Sequence, residues 1–415
     1  MKIPVLVPFL AAAVLFSGCA AVPKAPPSDT YYVMAGGSDR NDGLSEQTPF
    51  RSLFKAVVMA ANSPVKIITV IGTLDASSEQ SSHPERVFLI QGGGAEQILI
   101  RGANPAGRTG VSTGGAVLSA AGSGRRTVLV RGPVKVRFEG IEISGGRASG
   151  EGGGIGIGPG SSVTLGPGSV LRDNNSDNLG GGAVVAPGGT LYLEGGLVSG
   201  NRSSLVGGGI AVAGTSGSLV IRNGEISGNH SQGGGGVAVY EGGQCTLSGG
   251  VVQNNTADMA GGGVMVNRGA AFTMEGGFIR GNRSSGVGGG LVLLENGNFA
   301  LKGGEITGNQ AAEHGGGIAA DNTCSLTIQG GFIAANRAAE RGGGVFTAGS
   351  LVKTGGKIYG GDVPGDQANA ASSGAAIFVF RGEGKNKIRE TSASEALILD
   401  SSSDMGWVLE DSGES

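Results

Sequence analysis

The chain has 415 residues and little of what fills an ordinary globular core. There is a single Trp, and aromatic residues reach only 5%, so large side chains cannot dominate its interior. Three Cys are too few for a disulfide scaffold. Three scattered His give no metal-ligand spacing, so no metal or cofactor is expected. Charged residues make up 15% with a net charge of -3, which leaves no basic footprint for nucleic acid. What the chain has instead is glycine, at 85 residues, about one in five against a usual 7% or so. The glycines come in clumps and Pro is only 14, which excludes collagen. A hydrophobic content of 39% with so little charge excludes general disorder. A stack of small repeated units is the economical use of this composition.

The first residues read as an address. Lys2 is the only charge before an apolar run over residues 5–16, shorter than a bilayer span and typical of a signal-peptide core. The run ends in Phe16-Ser17-Gly18-Cys19, which resembles a bacterial lipobox with Phe at the position usually held by Leu. The resemblance implies a signal peptide over 1–18 and diacylation of Cys19. The protein would then sit in the cell envelope, most simply at the outer membrane. Two or three acyl chains anchor stably where one does not. Residues 19–30 follow as a Pro-containing tether.

Residues 31–64 form a cap segment. YYVMAGGSDRNDGLSEQTPF reads as strand, turn and Thr-Pro, and RSLFKAVVMAAN places Leu53, Phe54, Val57, Val58 and Ala61 at helical spacing. Together they resemble the N-terminal segment of right-handed parallel β-helix proteins of the pectin-lyase-like group, in which such a helix covers the open end of a solenoid. An uncovered first coil would leave an apolar cross-section and free strand edges. Residues 65–150 carry short β-branched runs closed by Gly, such as KIITVIGTL and RTVLVRG, and read as irregular coils.

From residue 151 the chain repeats itself, and the repeat region extends to 381. Ile155, Ala183, Ile210, Val237, Val264, Leu291, Ile318 and Val345 each follow a Gly triplet, with one step of 28 and six of 27. Each unit shows three short strands, marked in turn by pairs such as Ile210/Val212, pairs such as Leu219/Ile221, and single residues such as Ile226. The fold class expected is therefore all-β, a single-stranded right-handed parallel β-helix with 27-residue coils and a helical N-terminal cap. Asn174, Asn201, Asn229, Asn255, Asn282, Asn309 and Asn336 recur at one turn and are expected to hydrogen-bond as an amide ladder. The solenoid is expected to end after Val345, because the next matching segment, SGAAIFVFR, is displaced by about four residues. Residues 382–415 read as a C-terminal cap and acidic tail. Cys245 and Cys324 fall three coils apart, about 14 Å along a stack with strand spacing near 4.8 Å, too far for a disulfide.

Little in this pattern carries catalytic chemistry. The Gly triplets lack the Asp of calcium-binding β-rolls, and GIGIGPG at 154–160 lacks the Lys-Ser/Thr of a phosphate loop. The variable turn after the Asn ladder holds Arg202, His230, Asp258, Arg283, Glu313, His314, Arg337, Glu340 and Arg341. It is either a solvated, salt-bridged edge or a polar groove for a glycan or a host or cell-surface protein, since Arg forks suit carboxylates and sulfates. Diagonal pairing of Glu313 with Arg341 and of Glu340 with His314 is expected, from their spacing of one coil. A second cluster holds Arg131, Lys135, Arg137, Glu139 and Glu142. A polysaccharide lyase needs a cation against the uronate carboxylate and a base for the α-proton, and Lys135 or Arg137 could serve.

The GGG[IV] and [IV]xxN repeats, as in Gly207-Gly208-Gly209-Ile210 and Ile306-Thr307-Gly308-Asn309, resemble the polymorphic outer-membrane protein family of bacterial adhesins. Those carry GGA[ILV] and FxxN. The resemblance implies a non-catalytic, adhesin-like surface protein. The alternatives are a lyase or hydrolase of an acidic glycan, and a plain spacer.

Overall fold

The computed structural model describes residues 29–79, 83–92, 97–103, 115–360, 367–381 and 408–411. The signal peptide, Cys19, nearly all of the tether and most of the 382–415 tail lie outside the described residues.

The chain winds as a parallel β-solenoid. One coil illustrates all the regular ones. Ile210–Ala213 forms the first strand, Ser218–Ser227 runs through the second and third, and His230–Gly233 forms a fourth. Each strand pairs in parallel with its counterpart in the next coil, as Ile210 with Val237 and Val212 with Val239. First strands build one sheet, second and third strands share a bent sheet, and the short fourth strands build another. Nine in-register steps lead from Val128 to Ile377. Alternation puts Leu219, Ile221 and Ile226 inside, and stacking joins such residues into one core along the rod.

The structure departs from the sequence expectation in three places. A fourth strand follows the Asn ladder where only a turn was expected; in most coils it is two residues long, as Arg202–Ser203 and Arg283–Ser284, too short for a periodicity. The solenoid also does not end at Val345. Val345 pairs with Ile377, and Gly374-Ala375-Ala376 stands where a Gly triplet is expected. The added residues of that coil fall between Tyr359 and Asn369, so both ends of the insertion stay in register. Finally, the cap helix Leu53–Ala61 buries Leu53, Ala56, Val57 and Ala60 and leaves Phe54 and Val58 outside. Its rotation is fixed by its first turn. Asp39 accepts from the amides of Arg51 and Ser52, and Glu79 accepts from those of Leu53 at 2.5 Å and Phe54 at 3.2 Å. Those bonds aim the small Ala56 and Ala60 at the first coil, where a close approach suits them. Cys245 and Cys324 are free thiols in the core, both pushed up by burial, Cys324 to about 12.

The Asn ladder is continuous and longer than expected, from Asn174 to Asn369. Each Nδ2 donates to the Oδ1 of the next rung at 2.9–3.0 Å. The same Oδ1 takes the backbone N–H of the preceding rung, as Asn201 N–H to Asn229 Oδ1 at 3.0 Å. The second Nδ2 proton goes to a third-strand carbonyl of the previous coil, as Asn201 to Leu171 at 2.9 Å. Every polar atom of a buried interior carboxamide is thereby satisfied.

This ladder dictates the Gly triplet. Gly207 has φ of 69°, a conformation open to Gly at little cost. A Cβ on Gly209 would sit 2.6 Å from the Gly236 carbonyl oxygen and 3.1 Å from the Asn229 carboxamide, so no larger residue fits above the rung.

Asn282→Ala is expected to lower stability by about 3 kcal/mol or more, because it strands two buried donors of Asn255 at about 1–3 kcal/mol each. Gly209→Ala should cost about 2 kcal/mol through overpacking against fixed backbone. Gly228→Ala meets open space at φ of 64° and should cost only about 1 kcal/mol. Urea midpoints of the three variants test this order. A second expectation concerns the cap. Burial, with Asp39 adding to it, pushes Glu79 up from 4.5 to about 7. A carboxyl with a raised folded value holds its proton more tightly in the folded chain. Its stabilising contribution is complete below about 4.5 and is lost as pH rises through about 7. Amides of the cap helix should therefore exchange with larger opening constants at pH 8 than at pH 5, and Glu79→Gln should flatten that dependence.

Candidate functional site

The ladder sets what the outer surface presents. Because Asn points inward, the next residue points outward. That position forms a register column: Arg147, Asn175, Arg202, His230, Thr256, Arg283, Gln310 and Arg337. Seven steps separate its ends, about 34 Å at parallel-strand spacing. Arg147, Arg202, Arg283 and Arg337 are exposed. Among the described residues, none of these four guanidinium groups has a hydrogen bond, ion pair or ring contact. The column holds no carboxylate. The structure thus brings Arg202, His230, Arg283 and Arg337 of the expected site into one line and adds Arg147. That residue is found by stepping two coils back from Arg202, past Asn175.

The other expected residues fall beside this line. Asp258 lies 3.3 Å from His230 Nε2, and Glu340 lies 3.5 Å from His314 Nδ1, each an ion pair once the imidazole is protonated. The expected contact of Glu340 with His314 is therefore present. His314 stacks on Phe346 at 4.7 Å, Phe346 on Phe378 at 5.7 Å, and Arg341 lies over Phe378 at 5.0 Å. Glu313 sits in the loop that precedes His314.

A groove runs beside the Arg column, and its middle is apolar. One wall is a second register column, Leu179, Val206, Gly233, Ala260 and Val287. The floor is the outward middle position of the first strand, where Ala238, Met265, Val292 and Ala319 form an apolar cluster separate from the core. At Gly233 the groove opens into a hole of about 380 Å³. Leu205 and Met259 stand at its rim, 44% and 63% exposed. Toward the C-terminal end, the stack of His314, Phe346 and Phe378 fills the groove. No single strand reveals this feature, since its walls come from positions about 30 residues apart.

Arg137 of the second cluster is already paired. Arg137 Nε donates to Glu139 at 2.6 Å and Nη1 to Glu194 at 2.7 Å. Glu194 also pairs with Arg222, whose guanidinium lies 4.9 Å over the Tyr192 ring. These bonds hold the Arg137 guanidinium firmly charged and Glu194 below the usual carboxylate range. Two protein carboxylates thus already neutralise the Arg137 charge that a uronate carboxylate would need. Lys135 is exposed at the head of the same strand. Among the described residues no group of His, Cys, Asp and Glu has the arrangement to hold a metal ion, and no helix is long and apolar enough to cross a membrane.

Residues 208–393 match a family model described as the right handed beta helix region. The match begins within the regular coils and runs past the last described coil. Comparison with curated proteins returns no match.

Proposed function

We propose that this chain is a lipid-anchored β-solenoid of the cell envelope that binds a ligand bearing spaced carboxylates or sulfates, without transforming it. Acyl chains on Cys19 would hold it to the membrane, most simply the outer one, and the rod would present its ligand face in the manner of an adhesin. The observation that carries the reading is the column of four unpartnered guanidinium groups, at intervals of about 10, 14 and 10 Å along a rigid rod. Guanidinium forks match carboxylate and sulfate geometry. A side chain fixed to a β-ladder also loses less freedom on binding than one on a loose loop. The lyase alternative has no such support, because Arg137 is committed to Glu139 and Glu194.

Immobilised protein should bind dextran sulfate, polygalacturonate or polyglutamate, with affinity falling steeply as salt rises. Arg202→Ala, Arg283→Ala and Arg337→Ala should each weaken binding about tenfold, the effect of losing one charged hydrogen bond. Affinity unchanged in the triple variant would sink the reading. So would the appearance of unsaturated uronate or new reducing ends that Lys135→Ala or Arg137→Ala abolishes.

A further inference from the structure

The regular coils break their own pattern at one place. From the ladder Asn to the first-strand residue there are nine positions in the coils of Asn174, Asn201, Asn255, Asn282, Asn309 and Asn336. In the coil of Asn229 there are eight, and the loop reads His230-Ser231-Gln232-Gly233. The register to the next coil shifts between Ser231 and Gly233. The last described coil, from Asn369 to Ile377, is equally short, but there Phe346 and Phe378 occupy the space outside the first strand. At Gly233 nothing does. The flanking coils place Val206 and Ala260 at this position, and with no side chain here the groove widens into the hole of about 380 Å³. A Cβ here would press on the flexible Sδ of Met265, at 2.9 Å, and meet Val206 Cγ1 at 3.5 Å and the Ala260 carbonyl oxygen at 3.6 Å in ordinary contact. The scaffold could accommodate a side chain, and an open apolar hole ringed by exposed Leu205 and Met259 costs stability relative to a filled one.

The lining describes the guest. Met259 and Met265 contribute two thioethers, groups that adapt their shape and contact aromatic rings favourably. The lining also has polar members, Gln232, Tyr240, Asn267 and Arg268, and the Asn267 carboxamide oxygen has no hydrogen-bond partner. The terminal torsion of Asn is soft, so a donor on the guest's edge can draw that oxygen round. In the neighbouring column Arg202 stands one coil before the coil of Gly233 and Arg283 two coils after it. An apolar pocket inside a charged rim is the anatomy of a protein-interface hot spot. We infer that the hole at Gly233 receives an indole side chain of a partner protein whose acidic residues meet Arg202 and Arg283. The inference rests on the Arg-column reading and names its partner class.

The test uses the full chain in detergent with its Met methyl groups isotopically labelled. N-acetyl-tryptophanamide should shift the Met259 and Met265 signals, and N-acetyl-leucinamide should do so at least tenfold more weakly. Gly233→Val should abolish the response without lowering the thermal midpoint, and Met259→Ala, at an exposed position, should weaken it several-fold. A peptide with Trp between Glu residues should bind at least tenfold more tightly than the amide and lose that gain in Arg283→Ala. The inference is overturned if neither methyl responds at millimolar amide, if the leucine amide binds equally, or if free indole binds and the capped amide does not, which would mark a small-molecule site. If Gly233→Val abolishes peptide binding and Arg283→Ala leaves it unchanged, the hole stands and the Arg-column reading falls. The reverse result removes the hole alone.

Discussion

A buried asparagine that must satisfy four hydrogen bonds at every coil is the constraint on which the rest of this structure depends. Its carboxamide reaches the next rung only at parallel-strand spacing, and it reaches the previous coil's carbonyl only if the third strand ends just before it. Each coil must therefore return to the same point, which explains why the 27-residue period tolerates slips of one or two within a coil and corrects them by the next rung. The step from Asn201 to Asn229 is 28 and the next, to Asn255, is 26. Between them the ladder bonds stay at 2.9–3.0 Å. Freedom is pushed outward, into the loops that follow each rung.

That separation of a rigid inside from a variable outside shapes the functional argument. A position that recurs once per coil can only make a line, so a solenoid recognises repeating or extended ligands most readily. Catalysis needs the opposite, a few unlike groups converging on one atom. The convergent cluster here, Arg137 with Glu139 and Glu194, uses its charges on itself. The line of Arg147, Arg202, Arg283 and Arg337 leaves its charges unspent. Ion pairs do occur elsewhere on the surface, as where Arg268 is flanked by Glu241 and Glu295 one coil to either side. Column position can bring opposite charges together, and in the Arg column it does not.

How much of this was legible in the sequence depends on the range over which each feature is encoded. The period, the inward residues and the ladder are local patterns repeated many times, so they stand out from a single chain. The fourth strand is in most coils two residues, such as Arg-Ser, Arg-Ala or Gln-Ala, with no alternation to read. The coil beyond Val345 was hidden because two of its three glycines are alanines and its insertion breaks the count, although Asn369 keeps the rung. Hydrophobicity alone favours burying Phe54 and Val58 as well, whereas the backbone amide bonds to Asp39 and Glu79 decide the rotation. Arg137 seemed available because one of its partners, Glu194, lies 57 residues away. The apolar groove was invisible for a similar reason, since it exists only between two columns.

The hole at Gly233 shows how such a rod can carry a weakness without spreading it. Beneath the shortened loop the ladder is complete: Asn229 donates to Asn255, and its backbone N–H reaches the same oxygen. The first strand pairs in register through Val237 to Val264. The missing side chain therefore removes outer packing alone, a loss confined to Met265, Ala260 and their neighbours. In a globular core a void of this size would be shared by many contacts and resisted by all of them. Here the ladder isolates it, and a coil can be open on its outside while remaining closed within. The same isolation lets the Arg column and the hole stand side by side on neighbouring loops, each set by residues that the interior does not restrict.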